Sequence, residues 1–328
     1  MWIRLLVGAG LLAIVVGRLG AGPFLQGIGT IDLWSLVLAA GIAVITTACC
    51  AWRWTLVARG LGIGLPLGAA IAAYYRSQFL NTTLPGGVLG DVHRGVRHGR
   101  DVDDVGRGLR AVAWERLAGQ VVQVVVSMGV LLLLPSPVHS SMLFVVAAVA
   151  VAVPAAVLLA HRLPRDGPSP FARAVRTAAL DLRDGLLARR AWPGIALAST
   201  AAVAGHAVTF LVAAWTVGVA VSPVRILPLA LLVLLAMAIP TNVAGWGPRE
   251  GVAAWAFAAA GLGAAQGVAT SVVYGVMVLV ANLPGAGVLV VAAWLRRGGG
   301  SPGAGVPRAN PPSARLSGTA GLAGTPRG

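Results

Sequence analysis

The chain has 328 residues, of which 57% are hydrophobic and only 11% are charged, with a mean hydropathy of +0.84. Soluble domains carry about 25% charged residues, so this composition excludes a soluble domain of any size and gives a membrane protein. The net charge of +15 comes from 25 basic residues, all arginine, most of them in short segments between apolar runs; that placement fits loops facing anionic lipid and speaks against nucleic-acid binding, for which no basic domain exists.

The first apolar run, 5–17, has Arg4 in front and no cleavage site followed by a soluble domain, so it reads as an uncleaved span. The second run is 33–52, followed by Arg53 and Arg59. A shorter segment, 68–83, is interrupted by Arg76, Gln78 and Asn81, and a charged stretch, 91–110, comes next. Further runs lie at 112–134, 141–160, 193–219, 227–243, 251–263 and 268–295. Two units result: a transmembrane domain over 1–295, and a Gly/Pro/Arg-rich tail over 296–328 that is predicted to be disordered. Cys49 and Cys50 are adjacent in an apolar run and cannot staple distant segments.

Arginine placement gives a topology. Segment 161–190 holds seven arginines and is expected in the cytoplasm, as are 53–66, 91–110 and the tail. Alternation then requires 67–90 to enter and leave on one side, as a hairpin broken at Leu84-Pro85-Gly86-Gly87. Runs 227–243 and 251–263 form a second hairpin from the opposite side, broken at Ala244-Gly245-Trp246-Gly247-Pro248. The predicted fold is therefore all-α and polytopic, with about six full spans and two re-entrant helical hairpins; eight kinked spans are the alternative. The chain is expected in the cell membrane, multi-pass, with both termini cytoplasmic. Interrupted helices in corresponding places of two halves point to a transport site near the bilayer midplane.

The chain has two glutamates, both inside hydrophobic sequence and each beside an arginine: Glu115-Arg116 and Arg249-Glu250. An ionised side chain at the bilayer centre costs roughly 2.5–3.5 kcal/mol even on the lenient insertion scale, so these pairs are expected to handle something polar. On a helix, neighbours in sequence point about 100° apart. Glu115 and Arg116 therefore need not pair with each other, and each can pair across the bundle, for example Glu115 with Arg94 or Arg249. Glu250 follows Pro248 and suits the positive end of a half-helix, which leaves Arg249 as a fork for phosphate. In the first hairpin Pro85 ends the helix, Gly86, Gly87 and Gly90 permit close backbone approach, and exposed N–H groups beside Arg76 and Arg94 would cradle a phosphate, with Asp91 orienting a guanidinium. His206, alone in a span, reads as a packing histidine, and Asp181 and Asp184 as part of an interfacial helix.

The run Asn81-Thr82-Thr83-Leu84-Pro85-Gly86-Gly87-Val88-Leu89-Gly90-Asp91-Val92-His93-Arg94 resembles the signature of the lysylphosphatidylglycerol synthase transmembrane-region family, the flippase-like membrane proteins. Trp114-Glu115-Arg116-Leu117-Ala118-Gly119 resembles its second motif. Ile239-Pro240 with Gly245-Trp246-Gly247-Pro248-Arg249-Glu250-Gly251 resembles its third, and the order and spacing agree over about 1–295. The resemblance implies a helical domain that moves or handles lipids with phosphate head groups, such as aminoacylated phosphatidylglycerol or a lipid-linked sugar. The soluble synthase domain has no counterpart after Leu295, so aminoacyl transfer is not carried over and no enzyme activity is expected.

The expected lipid-binding set is Arg76, Asn81, Pro85, Gly86, Gly87, Asp91, Arg94, Glu115, Arg116, Arg249 and Glu250, with Arg94, Glu115, Arg249 and Glu250 converging on one cavity. No cofactor or metal is expected. The expected partners are a membrane phospholipid or lipid-linked substrate, with a homo-oligomer or a membrane enzyme as further possibilities. Two rival readings remain: an accessory partner of a lipid or cell-envelope glycosyltransferase, and an integral-membrane lipid-modifying enzyme, although no nucleotide motif or Ser/His/Asp arrangement supports the latter.

Overall fold

The side chains are arranged as a lipid solvent demands. Large apolar groups such as Trp34, Ile45, Val125, Leu133, Phe144 and Trp294 are exposed, whereas Arg53, Arg76, Arg94, Glu115, Arg249 and Glu250 are buried. The structure, a computed structural model, describes residue 10 and residues 13–84, 87–162, 169–238 and 247–298. These contain helices and no strand, in agreement with the all-α expectation. Backbone N–H and C=O groups in hydrocarbon must be satisfied within the protein, and a helix satisfies its own.

In chain order the helices are α1 Gly22–Gly29, α2 Leu33–Gly60, α3 Leu67–Thr83, α4 Leu89–Asp101, α5 Val105–Leu133 and α6 His139–Arg162. They continue with α7 Pro170–Leu180, α8 Trp192–Thr216, α9 Pro223–Met237, α10 Pro248–Ala259, α11 Ala264–Ala281 and α12 Pro284–Gly298. Residues 13–19, the described part of the first apolar run, are also helical. Four stretches of the described residues are long and apolar enough to cross a membrane: Leu33–Gly60, Val105–Leu133, Trp192–Thr216 and Ala264–Leu295. His139–Ala152 and Pro223–Met237 are shorter apolar helices.

Both expected helix–break–helix pairs are present. The first is α3 and α4, which pack against each other. Gly90 makes this possible, because a Cβ there would strike the Ser77 carbonyl of α3. Pro85 and Gly86, the centre of the break, lie outside the described residues; Gly87 beside them has φ +61°. The second pair is α9 and α10. Residues 239–246 lie outside the described residues, including Ile239, Pro240, Gly245 and Trp246. Gly247 has φ +123°, a conformation that glycine alone adopts cheaply, and Pro248 then opens α10.

Several boundaries differ from the sequence reading: α1 lies between the first two apolar runs, and α2 continues through Arg53 to Gly60. The charged stretch 91–110 is not a loop: it forms most of α4 and the first turns of α5. Its arginines fall on helix faces because Gly95, Gly99 and Gly108 let α4 and α5 approach closely enough to bury the remainder. The last run, 268–295, bends at Asn282–Leu283 into α11 and α12, since Pro284 has no N–H to continue the ladder. Segment 161–190 holds the expected helix around Asp181 and Asp184, as α7 and a π-helical turn, Asp181–Leu186, whose Asp181 accepts hydrogen bonds from Arg110 Nε at 2.9 Å and Trp114 Nε1 at 3.1 Å.

The largest core lies among α8, α9, α10 and α11, where Phe210, Phe257 and Tyr274 pack ring against ring. α2 runs along α8 with small residues at the seam: Gly205 sits against Thr46, and Gly194 against Leu56. Close approach of this kind drives helix association in lipid, where apolar burial alone gives little. α12 returns along α3, where Gly285 meets the Tyr75 carbonyl. These packings leave a space bounded by α2, α3, α4, α5, α8, α9 and α11 and lined in part by polar residues.

Candidate functional site

The central feature is a buried ion-pair chain that ties four helices together. α5 carries Glu115, which has no exposed surface. Its Oε1 accepts from Arg53 of α2, through Nε at 2.8 Å and also through Nη2, and from the Tyr74 hydroxyl of α3 at 2.9 Å. Its Oε2 accepts from Arg94 Nη2 of α4 at 2.5 Å. The Arg94 guanidinium lies between the rings of Trp54 and Tyr74, 4.7 and 4.3 Å from their centroids. Arg94 Nε donates at 3.0 Å to Asp91 Oδ1, which also accepts from Ser77. Asp91 Oδ2 accepts from Asn81 Nδ2 at 2.9 Å and from Arg116 Nη2.

Three guanidiniums thus share two carboxylates, which leaves the chain one positive charge in excess. Arg53 and Arg94 are buried, although Arg53 touches the central cavity, whereas the Arg116 side chain is 43% exposed. It reaches a cavity of about 230 Å3 whose polar lining includes Gln78, Asn81, Asp91, Gln120, Gln123 and His206. A second space of about 240 Å3 shares Gln78, Asn81, Arg116 and His206 with it, and extends past Gly87 to Thr46 and Asn282. A polar cavity with excess positive charge, inside an apolar bundle, suits a small anionic group flanked by hydrogen-bonding functions.

Four of the five charged residues of this chain of ion pairs, Asp91, Arg94, Glu115 and Arg116, come from the first two motifs. The sequence model of the lysylphosphatidylglycerol synthase TM region matches residues 1–285. The chain belongs to that family. Among curated proteins nothing matches it. In this lysylphosphatidylglycerol synthase TM-region protein the function is accordingly lipid-related and exercised in a membrane.

The structure brings Asn81, Asp91, Arg94, Glu115 and Arg116 together, and Gly87 lines the adjoining space. Pro85 and Gly86 lie outside the described residues. The expected phosphate cradle is altered at two points: the Gly90 amide is taken by Asn81 Oδ1 at 2.8 Å, and Arg94 is committed to Asp91 and Glu115. Arg76 is buried, but it lines a different cavity on the far side of α3 and α4.

Arg249 and Glu250 form a cluster of their own and do not line the central cavity. Glu250 sits in the first turn of α10 as expected, its Oε2 accepting from the Gly247 amide at 2.7 Å. Its Oε1 takes Arg249 Nε at 2.8 Å and Nη2 at 2.6 Å, with Ser271 joining at 3.2 Å. The predicted fork for phosphate is therefore turned inward, onto Glu250 and Ser271. Tyr274 stands between the two clusters: its ring centroid is 5.8 Å from the Arg249 guanidinium, and its hydroxyl meets His206 Nδ1 at 3.1 Å on the cavity side. Gly275 makes room for Arg249, since a Cβ would land on the guanidinium. Gly275→Ala is expected to cost about 1–3 kcal/mol by overpacking, measured as thermal stability in detergent, with lipid binding in the central cavity retained.

The sequence reading missed four contributors. Arg53 was counted with the loop arginines, yet it is the closest partner of Glu115. The apolar pattern continues past it through Leu56, Val57 and Ala58, which marks it as interior. Gln120 and Gln123 follow Arg116 at i+4 and i+7, a polar stripe on an apolar span that defines the cavity face of α5. His206 is satisfied by Tyr274, as a packing histidine would be, but it also lines both spaces.

Proposed function

We propose that this protein binds the phosphate-bearing headgroup of a membrane lipid in the central cavity and passes it between leaflets while the acyl chains stay in the bilayer. The observation that carries the reading is the half-exposed Arg116 guanidinium, part of a cluster with one positive charge in excess, facing a cavity whose polar lining also includes Arg53, Asp91, Gln78, Asn81, Gln120, Gln123 and His206. Phosphate takes charge-assisted bonds from Arg116; Gln78, Gln120 and Gln123 suit the hydroxyl or amino groups of a glycerol, aminoacyl or sugar substituent. Spaces of about 230 and 240 Å3 suit a headgroup and not a whole phospholipid.

The test is reconstitution of the purified full chain into liposomes containing fluorescent phosphatidylglycerol, with chemical quenching of the outer leaflet. Quenching beyond the outer-leaflet fraction, faster than in protein-free vesicles, is the expected result. A rate equal to that of empty vesicles overturns the proposal. The close pairing of Arg53, Glu115, Arg94, Asp91 and Arg116 would then favour the second reading, a structural ion-pair core in a scaffold for a lipid or cell-envelope glycosyltransferase.

The same reading places both termini in the cytoplasm and opens the α3–α4 break to the cytoplasmic side. Single cysteines introduced at Gly87 and Arg100, in a background lacking Cys49 and Cys50, are expected to react with impermeant reagent only in inverted vesicles. Labelling of Arg100→Cys exclusively from outside contradicts the topology.

A further inference from the structure

Among the described residues, Asp91 is the one carboxylate that lines the central cavity or the space beside it. Both of its oxygens are taken: Oδ1 accepts from Ser77 and Arg94, and Oδ2 from Asn81 and Arg116. Four donors fill the lone-pair positions of a carboxylate. Glu115 has no exposed surface, and Glu250 is turned onto Arg249 and Ser271. Aromatic rings are the other common partner of an ammonium group. The cavity wall has Tyr74 and Tyr274, and each already carries a guanidinium, Arg94 at 4.3 Å and Arg249 at 5.8 Å from the ring centroid. Uncharged hydrogen-bonding groups are plentiful by contrast: Gln78, Gln120 and Gln123, with Thr209 and Asn282 in the adjoining space. An amide or hydroxyl oxygen accepts from a hydroxyl or an amine alike, but it supplies no counter-charge.

We propose that the central cavity selects, among phosphate-bearing lipids, those with an uncharged polyol headgroup, glycerol or sugar, and rejects headgroups that carry an ammonium, whether an aminoacyl ester or an ethanolamine. The inference rests on headgroup binding beside Arg116. The cluster sets three guanidiniums against two carboxylates, so a phosphate at Arg116 cancels its one excess charge. An ammonium carried beyond that phosphate leaves water with no anion to meet it, and a buried charge without a partner is costly. The expected penalty is at least about a tenfold loss of affinity relative to a hydroxyl in the same place. His206 cannot relieve it, because imidazole is either neutral or cationic. Gln123 lies seven residues after Arg116 on the same face of α5, a rise of about 10.5 Å. A carboxylate placed there would meet the far end of a headgroup whose phosphate sits at Arg116.

The experiment is a competition. The full chain in mixed micelles is irradiated with phosphatidylglycerol bearing a headgroup diazirine, and adducts on the cavity residues His206 and Met237 are quantified. Unlabelled dioleoyl phosphatidylglycerol, its lysyl ester and dioleoyl phosphatidylethanolamine compete, so only the headgroup differs. Phosphatidylglycerol is expected to halve the adducts at a concentration at least about tenfold below that of either ammonium lipid. In Gln123→Glu the new carboxylate is expected to bring the lysyl ester level with phosphatidylglycerol or ahead of it. If Gln123→Glu does not fold, Gln78→Glu on α3 places the carboxylate on another wall of the same cavity. Competition by either ammonium lipid as strong as by phosphatidylglycerol overturns the inference and leaves the central-cavity reading standing, since the probe is still displaced from the cavity. A preference unchanged by the carboxylate also overturns it, because charge is then not its origin. Absence of cavity adducts with the probe alone overturns the central-cavity reading itself, and this inference with it.

Discussion

Glu115→Gln is expected to cost about 3–5 kcal/mol of stability, the range for breaking a buried ion pair by removing one partner. Glu115 is the shared counter-charge of Arg53 and Arg94, and both guanidiniums remain buried when it is neutralised. Glutamine keeps one acceptor oxygen, so either Arg53 with Tyr74 or Arg94 loses its bond outright. The measurement is the thermal midpoint in detergent, with expression level as a second readout. Replacing Arg53, Glu115 and Arg94 together by Leu, Met and Leu should recover part of the loss, because a buried ionic cluster can be replaced by apolar groups at lower cost than it can be broken. A Glu115→Gln protein as stable as the parent would show that the cluster is hydrated and that the burial argument fails.

Arg116→Gln is expected to do the opposite: lower lipid affinity roughly 10- to 100-fold with little change in stability. A hydrogen bond to a charged group contributes about 1.5–3 kcal/mol, and each 1.4 kcal/mol is about tenfold in affinity. The Arg116 side chain is 43% exposed, so its pair with Asp91 falls toward the roughly 0–1 kcal/mol of solvated ion pairs. Asp91 keeps Ser77, Asn81 and Arg94 when Arg116 is gone. Lipid retention in native mass spectrometry and the thermal midpoint decide this together. Losses of both in proportion would assign Arg116 to the structural cluster and leave the cavity without its anion-binding group.

The parts of this arrangement that show in the sequence are those where a polar residue breaks an apolar context. Glu115 and Glu250 stand out as the two glutamates, each inside hydrophobic sequence. The Pro-Gly and Gly-Pro breaks locate both interrupted helix pairs, because backbone chemistry is local. What sequence does not carry is the rotational phase of each helix in the bundle. Arg249-Glu250 therefore looks equivalent to Glu115-Arg116, yet the first pair faces Ser271 and caps its own helix, while the second divides between Arg53 and the cavity. Arg53 escapes notice for a different reason. It stands where the strongly apolar run gives way to arginines, and the apolar Leu56, Val57 and Ala58 that follow are the one sequence signal that sets it apart from Arg59. Gln120 and Gln123 are legible by spacing alone, once Arg116 and not Glu115 is taken as the face that matters.

The central claim, that a lipid headgroup enters the cavity beside Arg116, is tested most directly by photocrosslinking. Phosphatidylglycerol carrying a diazirine on its headgroup would be incorporated with the full chain into liposomes, irradiated, and the adducts mapped by mass spectrometry of peptides. The account predicts adducts on the cavity wall, at Gln120, Gln123, His206 and Met237, which disappear when Gln123→Trp fills the space. Adducts confined to outward-facing residues such as Phe144 and Trp294, with the same pattern in Gln123→Trp, would contradict it.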